Sequence, residues 1–170
     1  MHAMQHIEAL GVWIAEDAVV CGDVQLGRDS SVWYHAVIRG DVAPIRLGRR
    51  VNVQDHAVLH CRTGTPLEIA DNVAIGHRAT VHCRSIGQGS LIGIGSTILD
   101  DAVIGERCIV AAGAVVPPRM SVPDGSLVMG IPAKLVRSTT DDDLAYLEHS
   151  LQSYVDLAAA HAGGHFPRIT

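Results

Sequence analysis

The chain has 170 residues, of which 48% are hydrophobic and 4% are aromatic, and its formal net charge is -5. This length allows one domain with one core, and the acidic balance without a basic run argues against nucleic acid or an anionic membrane surface as a partner. No apolar stretch reaches the roughly 18 residues of a membrane span. Glu8, Glu16 and Asp17 interrupt any leader-like apolar region, so we expect a cytoplasmic protein.

Aliphatic residues recur every six positions along most of the chain. The runs are Ile14, Val20, Leu26, Val32 and Ile38, then Leu47, Val53 and Leu59, then Ile69, Ile75 and Val81, and finally Ile86, Ile92, Ile98, Ile104, Val110 and Val116. A fixed short period of this kind is typical of a parallel β-helix. In that fold three six-residue faces make one triangular coil, and coils stack at about 4.8 Å. Every third aliphatic anchor is therefore expected in one vertical column.

The columns predict which polar residues lie above one another. Two insertions, residues 42–44 and 63–66, are interpreted as loops at corners, so anchors rather than residues are counted. One column then contains Ile38, Leu59 and Val81. The residues that directly follow these anchors are predicted to stack on one outer face, and they are Arg39, His60 and His82. Two imidazoles on adjacent coils can share a metal ion.

A third histidine is predicted to lie around a corner from this pair. Val53 and Ile75 are stacked anchors of the next face, which puts Gln54 and Asp55 directly beneath Gly76 and His77. A ligand one face away cannot close a metal site within its own coil, but it can do so when copies of the chain pack side by side. Three-fold symmetry suits a three-sided prism, so we expect a homotrimer with metal between subunits.

The period is predicted to fail at Pro117-Pro118, and the segment from there to Arg137 is interpreted as extended chain with turns that ends the solenoid. We therefore divide the chain into a β-helix domain with its closing segment, residues 1–137, and a C-terminal helix and tail, residues 138–170.

A helix is predicted from Thr140, which is a suitable N-cap, with three aspartates in the first turn near the positive end of the helix dipole. An apolar stripe follows at helical spacing. Its members are Leu144, Leu147, Leu151, Val155 and Ala158. We expect this stripe to pack against the prism of its own or a neighbouring subunit rather than on a membrane, because the polar face is acidic.

Several short motifs follow this same geometry and carry a resemblance to a known family. They are Arg39-Gly40-Asp41, Asn52-Val53-Gln54-Asp55, His60, and Gly76-His77-Arg78-Ala79-Thr80-Val81-His82. In their order and spacing, over nearly the whole chain, they resemble the γ-class carbonic anhydrases. The resemblance implies an all-β fold, a left-handed parallel β-helix of hexapeptide repeats with a C-terminal α-helix.

The resemblance also implies a site and a reaction. His60 and His82 of one subunit and His77 of its neighbour would bind Zn²⁺, or else Fe²⁺ or Co²⁺, for the reversible hydration of carbon dioxide to bicarbonate, a lyase reaction. Gln54 would orient the reacting species. The family places Arg39, Asp41 and Asp55 in polar contacts between subunits near the metal. A purely architectural ion pair is the alternative for Arg39 and Asp41, and orientation of a metal ligand is the alternative for Asp55.

The chain departs from the family where glutamates shuttle protons. Thr63 stands in the loop after His60, and Val42 follows Asp41 where an acid could also stand. Hydration is therefore expected to be slow or dependent on buffer. Two alternatives stay open: a hexapeptide-repeat acyltransferase or thioesterase acting on a coenzyme A ester, and a metal-binding trimeric scaffold without turnover. Cys61 and Cys83 fall in one column and are interpreted as free thiols at a corner rather than a redox pair.

Overall fold

The computed structural model describes residues 4–167 and 169, so residues 1–3, 168 and 170 of the predicted terminal segments lie outside the described residues. The strands are β1 (Met4–Ile7), β2 (Val12–Ala15), β3 (Val19–Leu26), β4 (Ser31–Val32), β5 (Val37–Leu47), β6 (Asn52–Val53), β7 (Val58–Leu59), β8 (Leu67–Ile69), β9 (Ala74–Ile75), β10 (Thr80–Val81), β11 (Ser85–Ile86), β12 (Leu91–Ile92), β13 (Thr97–Ile98), β14 (Val103–Ile104), β15 (Ile109–Val110), β16 (Val115–Val116), β17 (Ser121–Val122), β18 (Ser126–Met129) and β19 (Lys134–Ser138). One helix follows, α1 (Asp141–Ala162).

These strands build the three parallel faces of a prism. The first face stacks β2, β4, β6, β9, β12, β15 and β18. The second continues through β7, β10, β13 and β16, and the third through β8, β11, β14 and β17. The long strands β3 and β5 run through the corner between the second and third faces. The strand β3 pairs with β5, and β5 pairs with β7 and β8 of the two ladders. The predicted parallel β-helix with a C-terminal α-helix is confirmed.

The predicted columns are confirmed by the strand register. Ile38 is the partner of Leu59, which in turn is the partner of Val81, and Val53 is the partner of Ile75. All five side chains are fully buried in the core of the prism. Because successive residues of a strand face opposite sides, burial of these anchors turns the preceding and following side chains outward.

Two expectations about the period are wrong. Residues 42–44 do not form a loop, since they lie inside β5, and a register shift between Gly22 and Val24 of β3 absorbs the extra length. The repeat also continues past Pro117, because Val122 and Val128 are buried and their strands join the parallel ladders. The prolines occupy a corner, where the Pro117 carbonyl accepts the Met120 N–H, so no strand N–H is lost. Residues 63–66 do form the expected loop outside the strands.

Antiparallel hairpins close the two ends of the solenoid. The strand β1 pairs with β2 at the N-terminal end, and β19 pairs with β18 at the other.

The helix α1 packs along the first face of its own subunit. Thr140 is the N-cap and forms a capping box with Asp143. Of the predicted stripe, Leu147, Leu151 and Ala158 are buried. The first two pack with Ala74 of β9, and Ala158 joins a separate cluster with Met4 and Trp33. Within the described residues no helix is long and apolar enough to cross a membrane.

Candidate metal centre

His60 and His82 lie side by side on the second face. Each directly follows a short strand of that face, β7 for His60 and β10 for His82, and the backbone N–H of His60 donates to Val81 in the next coil. The ring centroids are 5.2 Å apart. Nδ1 of His60 and Nε2 of His82 approach to 3.1 Å. The predicted stack therefore brings two potential metal-ligand atoms together.

A carboxylate lies behind each of these rings. Nε2 of His60 is 3.1 Å from Oδ1 of Asp41, and Nδ1 of His82 is 2.8 Å from Oδ1 of Asp100. A carboxylate only accepts hydrogen bonds. The favoured neutral tautomer of each ring therefore carries its proton on the nitrogen that faces the aspartate. The two remaining lone pairs then face each other, and that arrangement requires a cation or a proton between them. Two nitrogens bound to one tetrahedral zinc at 2.0–2.1 Å would be about 3.3 Å apart, close to the observed separation.

His77 lies at the corner between the first and second faces. The corner is a turn in which the Ala79 N–H donates to the Gly76 carbonyl and Arg78 has a φ of 57°. A Cβ on Gly76 would lie 2.8 Å from the backbone N of Ile94, so only glycine lets the next coil stack this closely. The turn leaves the His77 side chain at the edge of the prism, where 40% of it is exposed.

The two nitrogens of His77 have different partners. Nδ1 lies 2.8 Å from Oδ2 of Asp55, which favours the tautomer with its proton on Nδ1. Nε2 then carries a lone pair, and the hydroxyl of Tyr154 lies 3.3 Å from it. Burial and the nearby charge of Asp55 raise the pKa of Tyr154 to about 12, so the hydroxyl donates to His77 at neutral pH.

Gln54 is held beside His77 and is almost fully buried, with 6% of the residue exposed. Its Oε1 accepts the backbone N–H of His77 at 3.2 Å, and its Nε2 donates to Oδ1 of Asn52 at 2.9 Å. Among the described residues, Nδ2 of Asn52 is the buried side-chain polar atom without a hydrogen-bond partner. The amide pair therefore presents a fixed polar edge next to His77.

Arg39 and Asp41 form an ion pair at the edge of the second face. A hydrogen bond from Arg39, supplemented by one from His60, holds the pKa of Asp41 below its usual value. Asp41 is therefore charged at neutral pH and accepts from Nε2 of His60. The pair is about half exposed on this subunit, so whether a neighbouring copy covers it stays a prediction.

The predicted residues form two groups in one subunit. Asp41, His60 and His82 belong to the first group, and Gln54, Asp55 and His77 to the second. Across residues 4–167 and 169, no cluster of three or more His, Cys, Asp or Glu side chains is arranged to hold a metal ion.

Two further residues, Asp100 and Tyr154, contact these groups and were not singled out from the sequence. Asp100 follows Ile98, the next anchor in the column of Val81, by two positions, so the same column argument could have found it. Tyr154 lies on α1, and nothing in the helical spacing indicates that its hydroxyl meets His77. Only the packing of the helix on the first face decides that contact.

Cys61 and Cys83 are free thiols, with 1% and 2% of each residue exposed. Burial raises the pKa of Cys83 to about 12 and also raises that of Cys61. Both stay protonated at neutral pH, which fits their interpretation as packing residues.

Comparison with known proteins places the repeat and the motifs in one family. Residues 85–118 match the family described as bacterial transferase hexapeptide (six repeats). A carbonic anhydrase of Geobacillus kaustophilus is 43% identical over 148 residues, which cover 87% of this chain and 81% of that protein. The mitochondrial gamma carbonic anhydrase 2 of Arabidopsis thaliana is 39% identical over 89% of this chain, and the match spans 56% of that longer relative.

A solved structure with the same fold is a putative acetyltransferase of Bacillus cereus. It is 39% identical, with a TM-score of 0.82, and the match covers 88% of this chain and 91% of that one. The fold is thus shared with a protein named for acyl transfer, and several sequence relatives that match most of the chain are named carbonic anhydrases. The chain belongs to the γ-carbonic anhydrase family of hexapeptide-repeat proteins.

Proposed function

We propose that this protein catalyses the metal-dependent, reversible hydration of carbon dioxide to bicarbonate. The observation that carries the proposal is the pair of facing nitrogens of His60 and His82, 3.1 Å apart, each with an aspartate on its other ring nitrogen. Packing alone does not explain why two lone pairs face each other, whereas two ligands of one cation must both direct their lone pairs toward it. The choice of this reaction rests on the relatives that are named carbonic anhydrases.

The third ligand is His77 of a neighbouring subunit in a homotrimer. Within one subunit His77 is at a corner and the facing pair is on the second face, so a second copy is needed to bring three imidazoles together. A three-sided prism suits three-fold symmetry. Three neutral nitrogen ligands with an open position suit Zn²⁺, and Fe²⁺ or Co²⁺ fit the same donors.

A divalent metal in this setting lowers the pKa of a coordinated water to about 7 and so supplies a nucleophile for carbon dioxide. Side chains of this protein hold the ligands in the required orientation. Asp41 and Asp100 fix the tautomers of His60 and His82, and Asp55 does the same for His77.

Gln54 and the Arg39–Asp41 pair shape the surroundings of the reacting atoms. The amide of Gln54 is held by the Asn52 side chain and the backbone of His77, and it orients bicarbonate without neutralising it. Arg39 keeps Asp41 charged and contributes to the registry of the trimer.

Proton export is slow in this proposal. Thr63 and Val42 stand where the family uses acids, and neither side chain exchanges a proton at neutral pH. Turnover is therefore expected to rise with the concentration of a small added buffer. The cytoplasmic location expected from the sequence stays a prediction.

The test combines metal content with carbon dioxide hydration for wild type, His82→Ala and His149→Ala. His149 is exposed on α1, away from the proposed ligands, and is the matched control. We expect one metal ion per subunit and buffer-dependent hydration in the wild type and the control, and loss of both in His82→Ala. Metal without hydration would instead support the scaffold, and hydrolysis of a coenzyme A ester without metal would support the acyltransferase or thioesterase.

A further inference from the structure

Two exposed histidines stack on each other at the corner between the first and second faces. His35 and His56 occupy equivalent turns of adjacent coils, with φ values of 58° and 60°. Their ring centroids are 5.0 Å apart and their planes differ by 25°. Below them, a carboxylate oxygen of Asp17 lies 3.5 Å from Nε2 of His35. Above them, the Arg78 N–H donates to the carbonyl of Asp55, which places Arg78 over His56 in the next coil.

The same corner carries His77, the proposed ligand for the metal of the neighbouring subunit. His77 directly precedes Arg78, so its turn lies one coil, about 4.8 Å, above the turn of His56. The subunit that contributes His77 to a shared site therefore brings His56 to that site as well. This step rests on the function proposed above.

The reaction needs a group of this kind, because each bicarbonate formed from carbon dioxide and water releases one proton. Thr63 and Val42 cannot take that proton. Imidazole is the side chain whose protonation ordinarily changes between pH 5 and 8, so it can accept and release a proton near neutral pH. Histidines that bind the metal through a lone pair are not free for this task.

Other histidines of the described residues are less suited to it. His6 stacks on Trp13 in the N-terminal hairpin, and His149 is exposed on α1. His161 donates to or accepts from the Tyr34 hydroxyl, and burial lowers the pKa of His161. An exposed ring one coil from His77 combines access to solvent with closeness to the site.

Charges of both signs surround the His56 ring. The carboxylates of Asp17 and Asp55 favour a protonated ring, whereas Arg78 and a protonated His35 oppose it. Because the two stacked rings are nearly parallel, their N–H edges do not point at each other. His56 therefore exchanges its proton with water and not with His35.

We propose that His56 is the proton-transfer residue of this site. Its neutral ring accepts, through water, the proton that each hydration releases. The imidazolium then gives this proton to a buffer molecule in solution and returns to the neutral form. In the dehydration of bicarbonate the same ring supplies the proton.

The first test compares carbon dioxide hydration by wild type, His56→Asn and His35→Asn over a range of buffer concentrations. Asn tolerates the positive φ at both positions and carries no proton near neutral pH. We expect kcat of His56→Asn to be roughly tenfold lower in dilute buffer, less than the usual contribution of a general base because water and buffer also carry protons. The loss should vanish in concentrated imidazole, and kcat/KM should stay unchanged, since the proton leaves after carbon dioxide has reacted.

His35→Asn is the matched control, because it makes the same change in the same backbone conformation one coil farther from His77. We expect it to keep the wild-type kcat in dilute buffer. A second readout needs no turnover: NMR titration of the His56 ring with and without Zn²⁺. A bound cation nearby should move the His56 midpoint to lower pH and leave that of His149 in place.

A wild-type kcat of His56→Asn in dilute buffer would overturn the proposal. An equal loss in His35→Asn, or a His56 midpoint that Zn²⁺ does not move, would do the same. A wild type that hydrates no carbon dioxide even in concentrated buffer would instead refute the proposed function and, with it, the need for a proton carrier. Hydration in concentrated buffer therefore separates the two failures.

Discussion

At the scale of single residues, the three proposed metal ligands share one hydrogen-bonding arrangement. His60, His77 and His82 each have one ring nitrogen on an aspartate and the other directed away from it. Such carboxylate partners fix the tautomer and the ring orientation, and they raise the basicity of a metal-binding imidazole. The aspartates come from different coils, so these histidine–aspartate contacts depend on the register in which the coils stack.

A substitution of Asp100 tests this arrangement most directly at a single residue. In Asp100→Asn the side chain keeps its size, but it can no longer hold the N–H of His82 with a charge-assisted hydrogen bond. We expect metal affinity to fall by roughly 10- to 100-fold, as for other partners of metal-bound histidines. Competition with a calibrated chelator measures the change.

The neighbouring residue supplies the control. Asp101→Asn changes an aspartate that pairs with Arg62 instead of a histidine. Asn also suits the positive φ of 59° at that position. An equal loss of affinity in both variants would mean that general negative charge, and not the contact with His82, supports the metal.

At the scale of elements, the start of α1 combines several interactions on one carboxylate. Asp143 accepts from the Thr140 backbone N–H at 2.8 Å and from Nη1 of Arg137 at 2.6 Å, while its own N–H donates to the Thr140 hydroxyl. The hydrogen bond from Arg137 is the largest cause that holds the pKa of Asp143 far below its usual value. The helix that carries Tyr154 therefore begins at a charged cap.

This cap predicts a pH dependence of stability. Because the pKa of Asp143 is lowered in the folded chain, the unfolded chain binds more protons, and the stabilisation is present above the ordinary carboxyl pKa of about 3.9. It is lost as the pH falls below that value. We expect Asp143→Asn to be less stable than wild type at pH 7, with the difference shrinking as the pH falls below about 4. Urea unfolding followed by tryptophan fluorescence measures this, since Trp33 packs against the helix.

Asp142→Asn is the control for the loss of one charge at the same helix end. It leaves the capping box of Thr140 and Asp143 intact. A loss of stability at neutral pH equal to that of Asp143→Asn would assign the effect to the helix dipole instead of the cap.

At the scale of the whole molecule, the proposed site is divided by the geometry of the prism. The facing pair of His60 and His82 follows strands of the second face, and His77 follows a strand of the first. A metal bridge between a face and a corner joins neighbouring copies and closes a ring when three copies are present.

Mixed trimers test this division directly. Subunits of His82→Ala and of His77→Ala should each be inactive alone, but a mixed trimer regenerates one intact site where an unaltered face meets an unaltered corner. Each mixed trimer of a three-fold ring holds one intact site out of three, so we expect about a third of the wild-type metal content and hydration per subunit from the isolated mixed species. Co-expression with two affinity tags isolates the mixed species.

Mixtures that recover neither metal nor hydration would contradict a site shared between subunits. His82→Ala subunits co-expressed with His60→Ala subunits are the control, because both changes remove a ligand from the same face and no intact site can form.

The sequence by itself determined the solenoid and the vertical order of its anchors. The six-residue period is local and repeated, and burial of one aliphatic residue per face fixes which side chains point outward, so the stack of His60 on His82 followed from counting. The predictions for residues 42–44 and for the end of the repeat were wrong, because a strand can absorb an insertion by a bulge and a proline is tolerated at a corner.

Only the tertiary structure decided how other elements approach these histidines. The contact of Tyr154 with His77 depends on where α1 docks, and the contact of Asp100 with His82 depends on a turn one coil away. The six-residue period does bring Asp100 into the column of His82, but it does not encode the contact of Tyr154 with His77, which joins segments 77 residues apart that meet only when the core beneath them is packed. The repeat fixes the scaffold, and the packing of the helix and the turns on that scaffold sets the chemistry of the site.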